Sequence, residues 1–263
     1  MFIYMNLIEK DIQIAIDICN ETPFKLKEEY KYKYYKIESP VPFNLVDDIN
    51  IDYNIIRKKL NNEINIPLYI SVGISNNSFC NNLFILNNNL DKIKNKYSEI
   101  IFIFSDSKDA HRLFIKKSKE INPSVTDLFI INDIMKDIMA VHYDKIIRKI
   151  NKDSGYDNEI DYLGVSFSGG IGIFLSQINK IKIRNLILCA PGCLEGLKNV
   201  NKDQNIILGW CIQDTKVSYK TEGLRFISEL KEFKNKIIIL TDLGNITNDD
   251  LTHRLQDGIF DLL

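Results

Sequence analysis

From Pro67 onward the sequence alternates short apolar runs with helix-like segments, and this alternation restricts the possible folds more than any other feature. The strand candidates are 67–73, 99–104, 161–165, 184–190, 205–212 and 236–241, and the helix candidates are roughly 80–95, 108–120, 133–151, 169–179 and 219–233. Near-continuous β-branched strands separated by helices are typical of parallel strands covered on both faces. Because crossover connections are right-handed, the pattern predicts an α/β fold with a doubly wound, mostly parallel sheet.

The first 66 residues follow a different pattern. Residues 7–20 have apolar positions at near-helical spacing, and a second helix is predicted around 52–62. Tyr30–Tyr34 alternates tyrosine with lysine, which predicts a strand near a sheet edge, where lysines discourage further pairing. We interpret its lysines as a solvated strand face rather than a nucleic-acid surface. With no linker or internal repeat, residues 1–263 are predicted to form a single domain, in which 67–263 is the core.

Composition excludes several classes of function. The net charge of −1 provides no field to attract nucleic acid or an anionic membrane, and no apolar run is long enough to span a bilayer. The amino terminus carries charge too early for a signal peptide, so we expect an intracellular protein. No two of the five cysteines form a CxxC pair, so we expect neither a zinc site nor a disulfide framework. The cysteines are Cys19, Cys80, Cys189, Cys193 and Cys211.

The segment Asp161–Ile171 contains the strongest chemical signal. It reads as a buried strand, a tight turn of small residues and then a helix, with Ser166 at the apex of Gly164-Val-Ser-Phe-Ser168. A nucleophile elbow has this small-x-Ser-x-small form, because the serine backbone is strained and the strand and helix pack closely. The pattern favours Ser166 as a catalytic nucleophile. Ser168 fits a similar pattern and remains the alternative.

The downstream sequence resembles the α/β-hydrolase family over about residues 67–257. Gly169-Gly170 and a helix follow Ser166, and the next strand ends in Ala190-Pro191, with the proline 25 residues after the serine. The strand after that ends near Asp214, which is followed three positions later by Val217. The order Ser166, Asp214, His253 is the order of the family's catalytic residues.

The resemblance implies a serine hydrolase that cleaves a carboxylic ester or thioester through an acyl-enzyme. His253 would be the general base, Asp214 would orient it, and the N–H groups of Phe167 and Ile74 would form the oxyanion hole. This chemistry requires no metal and no cofactor, and the implied partner is a small-molecule acyl substrate. Because the segment Gly192–Gln204 is short, no sizeable cap is expected over the site.

Several alternatives remain open at this stage. Asp242 is a rival for the acid, and His253 lies in a loop without the family's usual preceding glycine, although His111 and His142 fall in helix-like segments upstream of the elbow. The fold can also persist without its chemistry, as a binding or scaffold module. A peptidase or an acyl transferase would use the same three residues.

A different enzyme class is suggested by one short segment. Gly73-Ile-Ser75-Asn-Asn-Ser-Phe79 resembles a loop of the tRNA-dependent cyclodipeptide synthases, in which Ser75 would carry the aminoacyl group. The resemblance spans about seven residues, and the net charge predicts no tRNA-binding surface.

Overall fold

The computed structural model describes residues 2–6, 31–37, 51–72, 82, 85–86, 88–105, 116, 128–246 and 252–263. Within these residues the strands form one sheet in the order β1-β9-β8-β7-β6-β4-β5-β3-β2. The strands are β1 (Phe2–Asn6), β2 (Lys31–Ile37), β3 (Ile51–Lys59), β4 (Leu68–Val72), β5 (Glu99–Ser105), β6 (Glu159–Val165), β7 (Lys182–Cys189), β8 (Asn205–Cys211) and β9 (Lys236–Asp242).

All the pairings from β1 across to β5 are parallel, and only β5–β3 and β3–β2 are antiparallel. Each of the six strands predicted from Pro67 onward is present, within a few residues of its expected bounds. The predicted α/β fold with a mostly parallel sheet is therefore confirmed. The predicted strand at Tyr30–Tyr34 corresponds to β2, and it lies at the edge of the sheet as expected.

The helix predicted around 52–62 is wrong, because Ile51–Lys59 forms strand β3. Tyr53 and Ile55 are fully buried and two residues apart, which is the period of a strand. The antiparallel register with β5 pairs Tyr53 with Ser105 and Ile55 with Ile103. The apolar residues of this segment are compatible with a helix as well as with a strand. The burial of alternate residues against a long helix selects the strand.

Helical segments connect most of the parallel strands, and the connection from β7 to β8 is the exception. The α-helices with described bounds are α1 (Leu90–Ile93), α2 (Leu128–Ser154), α3 (Phe167–Ile178) and α4 (Leu224–Glu229). A π-helical turn, Tyr219–Gly223, precedes α4, and 3₁₀ turns lie at Leu230–Glu232 and Asp257–Asp261. Residues 190–204 contain only turns and bends, so no helical cap is inserted between β7 and β8. The predicted helices at 7–20 and, except for residue 116, at 108–120 lie outside the described residues.

The sheet is covered on both faces. One core lies under α2 and α3 and includes Met139, Ile146 and Trp210. The opposite core includes Leu163 and also apolar residues from the helical segment before β5 and from the carboxyl-terminal 3₁₀ turn. A parallel sheet buried in this way directs the carboxyl ends of its strands to one edge, and doubly wound folds place their ligand sites there.

Candidate active site

Ser166 lies at the apex of a tight turn between β6 and α3. Its backbone has φ 57° and ψ −122°, a conformation that few non-glycine residues adopt. Its N–H donates to the carbonyl of Cys189, and its own carbonyl accepts from the N–H of Gly192, each within 3.0 Å. The serine is therefore held against the end of β7, with its side chain projecting beyond the end of the sheet.

The small residues around Ser166 are required by close packing. A Cβ atom on Gly164 would lie 2.5 Å from the carbonyl oxygen of Ser168, and one on Gly169 would lie 2.8 Å from the Cβ of Pro191. The strand, the helix and the turn after β7 thus meet at these two glycines. Ser168 is buried in the first turn of α3.

The imidazole of His253 contacts both Ser166 and Asp214, so the three predicted catalytic residues lie together. His253 Nε2 lies 2.7 Å from Ser166 Oγ, and His253 Nδ1 lies 2.7 Å from Asp214 Oδ2. Because a carboxylate oxygen accepts hydrogen bonds, the contact with Asp214 favours the tautomer with the proton on Nδ1. Nε2 is then free to accept the proton of the serine hydroxyl.

Asp214 is fixed by its own loop. Its Oδ1 atom accepts the backbone N–H groups of Lys216 and Val217 at 3.0 and 3.2 Å, and its side chain is fully buried. The rival Asp242 instead accepts from the Gln213 amide and the Gly244 N–H. The Gly244 hydrogen bond is the main cause of a lowered pKa for the Asp242 carboxyl. Of these two acids, the structure brings Asp214 to the histidine.

The expected oxyanion donors are only partly described. Phe167 is the first residue of α3, and the first N–H groups of a helix point out of its positive end. Ile74 and the segment resembling cyclodipeptide synthases, including Ser75, lie outside the described residues, as does His111. His142 is buried beneath the sheet, where Nδ1 is 2.8 Å from the Tyr53 hydroxyl.

A cavity of about 300 Å³ adjoins the elbow. One wall begins at Gly192, which is bonded to Ser166, and the other wall follows Asp214. Its lining residues are Gly192, Cys193, Leu194, Thr215, Lys216, Val217, Ser218, Thr221 and Glu222. The two walls therefore continue from the backbone next to Ser166 and next to Asp214.

Polar contacts with helix α2 hold the first wall of this cavity in place. Asp133 on α2 accepts the backbone N–H groups of Leu194 and Glu195 and pairs with Lys136 at 2.7 Å. The Lys136 ammonium lies 5.2 Å from the ring centroid of Phe167, next to the serine. Helix α2 therefore supports both the cavity wall and the residue that follows the nucleophile.

Two side-chain amides near the site were not anticipated from the sequence. Gln213 links the acid loop to the end of β9, and Asn82 accepts the N–H of Leu255, two residues after His253. A glutamine beside an aspartate at a strand end indicates little by itself. Asn82 belongs to a run of asparagines that carries no distinguishing pattern.

The other predictions about chemistry concern cysteines, metals and membranes. Cys189, Cys193 and Cys211 are free and buried, and burial raises the pKa of Cys189 and Cys193 to about 12 and that of Cys211 to about 11. Across the described ranges no group of three or more His, Cys, Asp or Glu side chains could hold a metal ion. No helix in that part of the chain is long and apolar enough to cross a membrane.

Comparison with known proteins identifies the fold. No protein-family model and no curated protein matches the sequence. The structure is similar to that of a thermostable esterase, with 14% identity and a TM-score of 0.55 over 88% of this chain and 60% of that one. It is also similar to a predicted CIB-like hydrolase from Thermoplasma acidophilum, with 16% identity and a TM-score of 0.51 over 89% of this chain and 100% of that one. The chain therefore has the α/β-hydrolase fold.

Proposed function

We propose that this α/β-hydrolase-fold protein is a serine hydrolase that cleaves a small carboxylic ester or thioester through an acyl-enzyme. The observation that carries the proposal is the pair of 2.7 Å contacts from His253, one to Ser166 Oγ and one to Asp214 Oδ2. A serine hydroxyl needs a base within hydrogen-bond reach, and the base needs a partner that fixes its tautomer.

In the proposed reaction, Ser166 Oγ attacks the acyl carbon while its proton passes to His253 Nε2. Asp214 stabilises the imidazolium that forms, and the backbone N–H of Phe167 donates to the oxyanion, with Ile74 as the proposed second donor. The imidazolium then protonates the departing alcohol or thiol. Water, deprotonated by the same imidazole, hydrolyses the acyl-enzyme and regenerates the serine.

The proposed substrate is small because the adjoining cavity measures about 300 Å³, at the lower limit of typical ligand sites. Residues 190–204 contain no helical cap, so this connection provides no large apolar cover for a long acyl chain. The cavity combines apolar side chains such as Val217 with the hydroxyl of Thr221. We therefore propose a short acyl group rather than a lipid.

A fluorophosphonate probe tests the nucleophile directly. We expect wild-type protein to be labelled and Ser166→Ala to be unlabelled, with Ser168→Ala as the matched control that retains labelling. His253→Gln and Asp214→Asn should each lower kcat on p-nitrophenyl acetate by roughly 10⁴-fold, because the base or its tautomer is lost. Wild-type protein that is neither labelled nor active would indicate a binding module. Labelling that survives Ser166→Ala but not Ser168→Ala would assign the nucleophile to Ser168.

A further inference from the structure

The described segment that carries His253 begins at the helical residue Thr252, and residues 253–256 have no regular secondary structure. Residues 252–256 are followed by the 3₁₀ turn Asp257–Asp261, and the four neighbours of the histidine in this segment are at most 6% exposed. They are Thr252, Arg254, Leu255 and Gln256. A histidine in such a segment can stay within 2.7 Å of two partners only if the backbone is anchored from outside.

Asn82 anchors the segment on the carboxyl side of the histidine. Its Oδ1 atom accepts the backbone N–H of Leu255 at 2.7 Å, and both residues are buried. The two residues are 173 positions apart in the sequence. Because a buried backbone N–H without a partner is unfavourable, this hydrogen bond favours one path of the chain just after His253.

Gln213 anchors the start of the same connection. Its Oε1 atom accepts the N–H of Leu243 at 3.0 Å, and its Nε2 atom donates to Asp242 Oδ1 at 2.6 Å and to the Gly244 carbonyl at 3.0 Å. Gln213 immediately precedes Asp214 in the sequence. Gln213 thereby links the end of β9 by hydrogen bonds to the loop that carries Asp214. The chain continues from β9 to His253, which Asp214 orients.

We propose that Asn82 and Gln213 are positioning residues, two amide clamps that hold His253 between Ser166 and Asp214. The proposal deepens the proposed hydrolase function and rests on it for its kinetic consequence. A base displaced by about 1 Å loses roughly 10²-fold in rate. Losing either clamp should therefore lower kcat while changing substrate affinity little, because neither amide lines the cavity beside the elbow.

The decisive variants are Asn82→Ala and Asn82→Asp. The aspartate retains an oxygen that can accept the Leu255 N–H, whereas alanine removes it. Asn89→Ala is the matched control, since Asn89 is a buried asparagine in the same helical region whose amide donates to the Ile85 carbonyl. Gln213→Met tests the second clamp at a partly exposed position, where the protein is expected to fold.

Two measurements separate positioning from a general structural role. On p-nitrophenyl acetate we expect Asn82→Ala and Gln213→Met to lower kcat by roughly 10²-fold with KM nearly unchanged, while Asn82→Asp and Asn89→Ala stay within about tenfold of wild type. In proton NMR, the low-field imidazole N–H signal of His253 in its bond to Asp214 should be lost in Asn82→Ala and retained in Asn82→Asp. His253→Gln assigns that signal.

The outcomes distinguish failure of the clamps from failure of the proposed function. A wild-type level of kcat together with an intact N–H signal in Asn82→Ala and Gln213→Met would contradict the positioning role of the two amides. The proposed hydrolase function would not be affected by that result. An inactive wild-type protein whose N–H signal still depends on Asn82 would support the clamps and contradict the hydrolase.

Discussion

Acidification should destabilise the fold through one buried histidine, His142 on α2. Its side chain is completely buried, Nδ1 is 2.8 Å from the Tyr53 hydroxyl, and within the described residues Nε2 has no hydrogen-bond partner. Burial, with a smaller contribution from the charge of Lys145, lowers its pKa from 6.5 to about 4. The folded protein therefore keeps this imidazole neutral where the unfolded chain would protonate it.

The sign and size of the effect follow from that difference in pKa. His142 contributes its full stabilisation above pH 6.5, and the contribution is lost as the pH falls from 6.5 towards 4. The shift corresponds to about 3 kcal/mol in total, because one pKa unit is worth about 1.4 kcal/mol. Between pH 7.5 and pH 5 the free energy of unfolding should fall by about 2 kcal/mol from this group alone.

Urea unfolding at pH 7.5 and pH 5 measures this contribution in wild type and in His142→Asn, which keeps a polar group near Tyr53 but does not titrate. Carboxylates titrate in both proteins, so the difference between the two pH dependences isolates the imidazole. Tyr53→Phe is a second control: it should cost about 1 kcal/mol at pH 7.5 yet retain the pH dependence, because burial is the main cause. Equal pH dependence in wild type and His142→Asn would refute the reasoning.

Three further changes probe the elbow, the opposite end of the sheet and the cavity. Gly169→Ala should lower the free energy of unfolding by about 1–3 kcal/mol in urea, because its Cβ would press on Pro191, whereas a stable and fully active variant would contradict the close packing. Arg184→Met removes the half-buried cation from the buried carboxylate of Asp161, which keeps its hydrogen bonds from Tyr97 and Asn185, and should cost about 1.5–3 kcal/mol by thermal or urea unfolding; a neutral result would mean that Asp161 does not need the ion pair. Val217→Trp should narrow the cavity and shift a p-nitrophenyl ester series towards acetate, and an unchanged chain-length profile would mean that acyl groups bind elsewhere.

Much of the fold was predictable because the parallel strands are apolar throughout. Strands such as β8 and β9 are buried on both faces, and runs of that kind have few alternative structures. The helix predicted at 52–62 is wrong because the spacing of its apolar residues is compatible with a strand as well as with a helix. The strand is distinguished from the helix by its antiparallel pairing with β5, which is a contact between distant parts of the chain.

The candidate site was predictable where local backbone geometry demands particular residues. The turn at Ser166 needs small neighbours, and that need is visible in the sequence around Gly164. Asn82 and Gln213 gave no such signal, because an amide that bonds to a distant backbone N–H has no fixed spacing from its partner. The choice between Asp214 and Asp242 as the partner of the histidine likewise depends on the conformations of the loops after β8 and β9, which the sequence does not specify.

The pairing of β1 with β9 has a consequence for solubility. Residues 2–6 lie parallel to 238–242, and β9 carries the consecutive aliphatic residues Ile237–Leu240. Without β1, the outer edge of β9 would present unpaired N–H and C=O groups along an aliphatic strand, which is a template for aggregation through strand addition. Strand β1 thus covers the edge of this aliphatic strand, and we expect its deletion to increase aggregation, measured as the fraction of protein lost to sedimentation.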